Sequence, residues 1–83
     1  MIEQVLNQRA TTHGNFTSNA HTSQLLKDIV SHGDNFADLS LVQREALHMI
    51  LHKIARITNG NCDEKDHWID IIGYTQLALD SIA

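Results

Sequence analysis

The chain has 83 residues, with six lysines and arginines against ten acidic residues and six histidines, and a net charge of −4 with the histidines neutral. That length makes one domain, residues 1–83, and a chain this short buries only about 60% of its unfolded surface. The acidic balance, with no run of lysine or arginine, argues against a binder of nucleic-acid backbones. The single cysteine, Cys62, excludes a disulfide framework, fits a reducing compartment and reads as an inert thiol.

No stretch approaches the roughly 20 apolar residues of a membrane span. The opening Met1-Ile2-Glu3-Gln4-Val5-Leu6 lacks the cationic start and apolar core of a secretory signal, so a cytoplasmic, soluble protein is expected. Proline is absent, so only the glycines at 14, 33, 60 and 73 interrupt helices.

Ile2 to about Arg9 reads as a first helix, with Ile2, Val5 and Leu6 on one side. Thr11 to Phe16 reads as a polar connection. A second helix is expected from about Ser18 to Ser31, burying Leu25, Leu26, Ile29 and Val30, with Gly33 in the left-handed position just past its end. Ser40 followed by Gln43 is a capping-box pattern that starts a third helix. Leu47, Ile50, Leu51, Ile54 and Ile57 then recur at helical spacing until Gly60, with Arg44, Glu45, His48, His52, Lys53 and Arg56 opposite. A fourth helix is expected from near Asp63 to the C-terminus. Asp63, Glu64 and Asp66 favour its start through the helix dipole, and Trp68, Ile71, Ile72, Leu79 and Ile82 form its apolar stripe.

The expected fold is therefore all-α: a small bundle of three to four helices with an antiparallel hairpin of helices three and four. Together they offer more apolar face than one small bundle covers. Pairing of helices three and four across a two-fold axis is expected to complete it as a homodimer.

The hairpin concentrates charge. Antiparallel pairing about Asn61 brings Lys53 level with Ile69 and Asp70, and Arg56 level with Asp66. Two readings stay open. The cluster suits interhelical salt bridges on a solvated surface, each worth about 0–1 kcal/mol. It also suits a site where carboxylates hold Mg²⁺ while Lys53 and Arg56 take phosphate oxygens. Glu45, His48 and His52 share a helix face, in a spacing that metals use, but without a fourth ligand. Gly73 beside Tyr74 implies close helix approach or room for a flat ligand. Trp68 serves as core anchor or stacking platform. His13-Gly14-Asn15-Phe16 reads as a loop, either a binding segment or a turn with Phe16 closing the bundle end.

The ordered set Arg9-x-x-Thr12-His13-Gly14-x-Phe16, Gln43-x-Glu45-Ala46-Leu47, His52-Lys53-Ile54-Ala55-Arg56-Ile57 and His67-Trp68-x-Asp70-Ile71-x-Gly73-Tyr74 resembles a family of small, largely uncharacterised phage and prophage proteins. That family is in turn distantly similar to all-α nucleoside triphosphate pyrophosphohydrolases of the MazG and dimeric dUTPase type. Those enzymes use Glu-x-x-Glu and Glu-x-x-Asp pairs to hold Mg²⁺. Here Asp70 and Tyr74 match the end of the second motif, and Glu45 matches one acid of the first. His67 and His48 stand where two further carboxylates are usual. The resemblance implies a phage-encoded, Mg²⁺-using nucleotide-binding protein in the host cytoplasm, with hydrolysis of a (deoxy)nucleoside triphosphate as one outcome. Asp70 and Glu45 would be catalytic, and Glu45, Asp66 and Asp70 the metal ligands. Lys53, Arg56, Trp68, Tyr74 and His13 would bind substrate. The alternative, favoured by the missing carboxylates, is a non-catalytic dimer that sequesters a nucleotide signal or docks on a host protein.

Overall fold

The computed structural model describes residues 1–83 and contains only helices. They are α1 (Ile2–His13), α2 (Phe16–Ser31), a 3₁₀ turn at Phe36–Asp38, α3 (Leu41–Asn59) and α4 (Lys65–Asp80). α3 is the hub: α4 packs along it most extensively, α2 packs beside it, and α1 touches it near one end. No helix is long and apolar enough to cross a membrane.

α3 begins where the capping box predicts. The Ser40 hydroxyl accepts from the Gln43 N–H at 3.1 Å, and Gln43 Oε1 accepts from the Ser40 N–H at 2.9 Å. Its inner face buries Ala46, Leu51, Ala55 and Ile57, with Ala55 fully enclosed. A small side chain there lets the neighbouring helices approach α3 closely.

Several element edges differ from the sequence expectation. α1 runs on through Thr11 and Thr12, whose hydroxyls donate back to the Gln8 and Arg9 carbonyls, so the connection shrinks to Gly14 and Asn15. α2 starts at Phe16 because the Asn15 side chain accepts from the Ser18 N–H. Gly33 is not left-handed: α2 ends in tight turns in which His32 and Gly33 donate to Ile29 and Val30. α4 starts at Lys65 rather than Asp63, because Asn61 holds the preceding turn by accepting from both Asp63 and Glu64.

The buried stripes also shift. On α2 the deeply buried residues are Asn19 and Ser23, while Leu25 and Ile29 are more than half exposed. On α4 the inward stripe is His67, Ile71, Tyr74 and Ala78, of which the predicted stripe shares only Ile71. Trp68, Ile72, Leu79 and Ile82 are each more than half exposed. Apolar residues occupy two adjoining stripes of this helix, so periodicity alone leaves its rotation open. Two polar contacts set it: Lys53 pairs with Asp70, and His67 reaches α1.

The α1–α2 turn abuts the α3–α4 turn, glycine against glycine. A Cβ on Gly60 would lie 2.5 Å from the Gly14 nitrogen, and one on Gly14 would lie 2.5 Å from the Asn59 carbonyl oxygen. Gly14 also adopts φ +83°, which disfavours any side chain. Beside this contact the Thr12 carbonyl accepts from the Asn61 N–H at 3.2 Å and from His67 Nε2 at 2.8 Å.

We expect Gly60→Ala to destabilise the chain by about 1–3 kcal/mol through backbone overpacking. Gly73 meets nothing within 4 Å, so Gly73→Ala in the isolated chain should stabilise it by about 0.5–1 kcal/mol through helix propensity. Urea titrations of the two variants at low protein concentration measure both signs.

Candidate functional site

α1, α2 and α3 enclose a cleft of about 450 Å³ at the end of the molecule held by the glycine contact. Each helix contributes a pair of polar or charged residues one turn apart: Arg9 and His13 from α1, Ser23 and Lys27 from α2, His52 and Arg56 from α3. Leu6, Ala10, Phe16 and Ala20 supply the apolar part of the wall. No Asp or Glu lines the cleft. Three of the chain's six lysines and arginines therefore face one space without a carboxylate among them.

The electrostatics of the cleft follow from that imbalance. Burial lowers the Arg56 guanidinium below its ordinary value and Arg9 lowers it further, while Asp70 and Tyr74 act in the opposite sense. Burial likewise lowers His13, and the positive charge of Arg56, the ring of His67, Arg9 and Lys53 add to the effect. His52 is lowered by burial, then by Arg56, Lys27 and Lys53. The surroundings of both imidazoles thus favour the neutral form. Asn19, at the wall of the cleft, donates from Nδ2 to the His13 carbonyl at 2.6 Å. Its Oδ1 and the Ser23 hydroxyl, both buried, have no partner within the chain.

The expected pairing of Lys53 with Asp70 is present: Lys53 Nζ donates to Asp70 Oδ2 at 2.8 Å. Lys53 is 8% exposed, whereas the Asp70 side chain is 44% exposed, so the pair is half-buried and not a surface bridge. The hydrogen bond from Lys53 holds Asp70 below its ordinary carboxylate range, aided by the charges of Lys53, His67 and Arg56. Arg56 makes no ion pair with Asp66; it faces the cleft with Arg9. His13 also lines the cleft and meets His67 edge-on, with ring centroids 4.8 Å apart. Since the Thr12 carbonyl only accepts, His67 carries its proton on Nε2.

Other predicted residues are placed elsewhere. Glu45 lies on the exposed side of α3, and Asp66 lies in the exposed first turn of α4. No three His, Cys, Asp or Glu side chains are arranged to hold a metal ion. Glu45, Asp66 and Asp70 of one chain therefore do not form a cage that fits Mg²⁺, and Asp70 already accepts from an ammonium. The Glu45, His48 and His52 set does not assemble either. His48 stacks on Phe36, over which the Arg44 guanidinium also sits at 4.8 Å, while His52 joins the cleft. Trp68 is half-exposed, and its indole N–H donates to the Cys62 carbonyl at 2.8 Å, bracing the turn before α4. Tyr74 and Asp70 share a shallow groove on α4 with Ile69, Gly73 and Leu77.

Lys27, Asn19 and Ser23 were not singled out by the sequence; Arg9 entered only as part of a motif, and His52 as a metal ligand beside Glu45 and His48 and not as part of this cleft. Their common signal is the repetition of i, i+4 polar pairs on three successive helices, which converge once the helices pack.

The family model that matches this chain, over residues 2–81, is described as Domain of unknown function (DUF6378). No curated protein and no solved structure matches the chain.

Asp70→Asn leaves the buried Lys53 ammonium without its carboxylate and should cost about 1–3 kcal/mol in urea titration. The pH dependence has two limbs. His13 and His52 have folded pKa values below the ordinary 6.5, so the unfolded chain binds more protons just below that pH, and stability falls as pH drops through it. Asp70 is lowered from 3.8, so its contribution is complete above that pH and is lost below it. Arg56→Gln should raise the His13 and His52 titrations towards 6.5, read by imidazole proton resonances.

Proposed function

The chain belongs to the DUF6378 family, and for it we propose a nucleotide-binding protein that grips phosphate groups in the cationic cleft. One observation carries the reading: Arg9, Lys27 and Arg56 converge without a carboxylate in a chain whose net charge is negative. Lys27 and Arg56 are half-buried and Arg9 is exposed; such uncompensated cations repel one another, and a phosphate group relieves that repulsion. Guanidinium forks suit phosphate oxygens in particular. Phe16 at the rim is strongly exposed and offers a flat face to a base, the role expected of Trp68 or Tyr74. The motif resemblance to phage proteins and, distantly, to MazG-type pyrophosphohydrolases supports the same ligand class and a place in the host cytoplasm.

Between the hydrolytic and the non-catalytic versions, the arrangement of acids within one chain favours the second. Glu45 and Asp66 do not join Asp70, so we derive no hydrolytic step and read the protein as one that sequesters its nucleotide.

The same reading includes a homodimer. A compact monomer of 9.3 kDa exposes about 5,000 Å², whereas this chain exposes 6113 Å². Its radius of gyration is 14.2 Å, where about 12 Å describes a compact domain of this length. The surplus surface is comparable to the roughly 800 Å² that each partner buries in a standard interface. Ile69, Ile72 and Leu77 on the outer side of α4 are all strongly exposed, and Gly73 lies among them without a neighbour.

Calorimetric titration with a panel of ribo- and deoxyribonucleoside triphosphates should show binding, and Arg9→Gln or Arg56→Gln should each weaken it about tenfold or more, since a charge-assisted hydrogen bond contributes about 1.5–3 kcal/mol. Absence of binding across the panel overturns the reading. Turnover to pyrophosphate by the purified chain overturns its non-catalytic part. Light scattering coupled to gel filtration should give twice the chain mass, and Ile72→Asp should return it to one; a wild-type monomer at high protein concentration removes the dimer.

A further inference from the structure

We infer that the cleft takes its phosphate ligand as the metal-free polyanion, so that Mg²⁺ competes with the protein for the ligand instead of assisting its binding. The inference rests on the nucleotide-binding reading above and names the form of the ligand. A site built for a metal–nucleotide complex must satisfy the metal's remaining coordination with hard oxygen donors, usually one or two carboxylates. The cleft lining contains none, and no three potential ligands gather elsewhere in the chain. Asp70, the predicted metal-site acid nearest in charge to Arg56, already accepts from Lys53 at 2.8 Å.

The lining does supply fixed positive charge in excess. Arg9 and Arg56 repel each other across the cleft, and Lys27 acts on His52 from the α2 side. The chain's other full cations are elsewhere: Arg44 lies over Phe36, Lys53 is bound to Asp70, and Lys65 opens α4. Attraction between this cluster and a phosphate chain grows with the charge left on the phosphates, and a bound Mg²⁺ cancels part of that charge. A second consequence follows for the imidazoles. His13 shares the cleft with Arg9 and Arg56 and His52 shares it with Arg56 and Lys27, while His67 near His13 and the charge of Lys53 behind the wall act in the same sense, all opposing protonation. A polyanion in the cleft reverses that local field, so binding is accompanied by proton uptake.

The test is calorimetric titration of the full chain with inorganic tripolyphosphate and with ATP near pH 7, in EDTA and in saturating Mg²⁺ at matched ionic strength. Affinity for both probes should fall at least fivefold in Mg²⁺. Titrations in buffers of different ionisation heat should show protons taken up on binding in EDTA. Arg56→Gln and Lys27→Gln, each checked for folding by circular dichroism, should weaken the EDTA titration more than the Mg²⁺ one, while Lys65→Gln outside the cleft leaves both unchanged. Equal or tighter binding in Mg²⁺ overturns the inference while leaving nucleotide binding intact, as does an equal loss in Lys65→Gln. No binding of either probe in either buffer overturns both.

Discussion

The close approach of two backbone turns, Gly14 on Gly60, is the constraint on which the rest of the molecule depends. α1 has no buried side chain and touches only α3 appreciably, so apolar packing does not fix it. What fixes it is polar and steric. The Thr12 carbonyl accepts two hydrogen bonds from the α3–α4 turn and α4, and neither glycine leaves space for a Cβ. Because the backbones meet there, α1 is held against α3 with exposed Arg9 and half-buried His13 lining the same cleft as Arg56. The cleft is a by-product of that clasp, and its charge is set by what the clasp brings together.

Charge sorting on α3 is the second step. Lys53 and Arg56 are three residues apart and so lie on adjoining faces of α3, yet they take different surroundings. Lys53 is drawn inward between α3 and α4, where burying an ammonium is tolerable only because Asp70 meets it directly. That pairing also occupies the one carboxylate whose charge reaches Arg56 appreciably. Arg56 is thereby left under-neutralised among Arg9, His13 and His52. The same ion pair that fixes the rotation of α4 thus leaves the neighbouring cleft positive.

The long, well-capped α3 was legible because Ser40, Gln43 and its apolar period agree with one another, and the Lys53–Asp70 level followed from counting outward from Asn61. The rotation of α4 was not, because Trp68, Ile72 and Leu79 form a stripe as apolar as the true one. Only a polar residue, His67, distinguishes the inner side, and apolar counting ignores it. α2 misleads in the same way: its innermost residues are Asn19 and Ser23, which carry no hydrophobic signal. The cleft itself lay beyond reach of any single motif, because Arg9, Lys27 and Arg56 belong to three helices: Lys27 and Arg56 meet through the packing of α2 on α3, and Arg9 joins them through the Gly14–Gly60 contact.

These misreadings share a physical cause that bears on how the chain is completed. A helix's inner face can be guessed from hydrophobicity only when its outer face is polar, and here the outer side of α4 is not. Ile69, Ile72 and Leu77 stand in solvent around a glycine that costs helix stability and relieves no contact within the chain. Retaining Gly at the centre of an exposed apolar stripe makes sense if another helix must approach that backbone closely. The features that obscured the fold in the sequence are then the ones that the proposed second copy would explain: α4 would carry two apolar stripes because it would have two partners, α3 on one side and a symmetry-related helix on the other. Such a dimer leaves the α1–α2–α3 cleft open, since α4 contributes no residue to its lining.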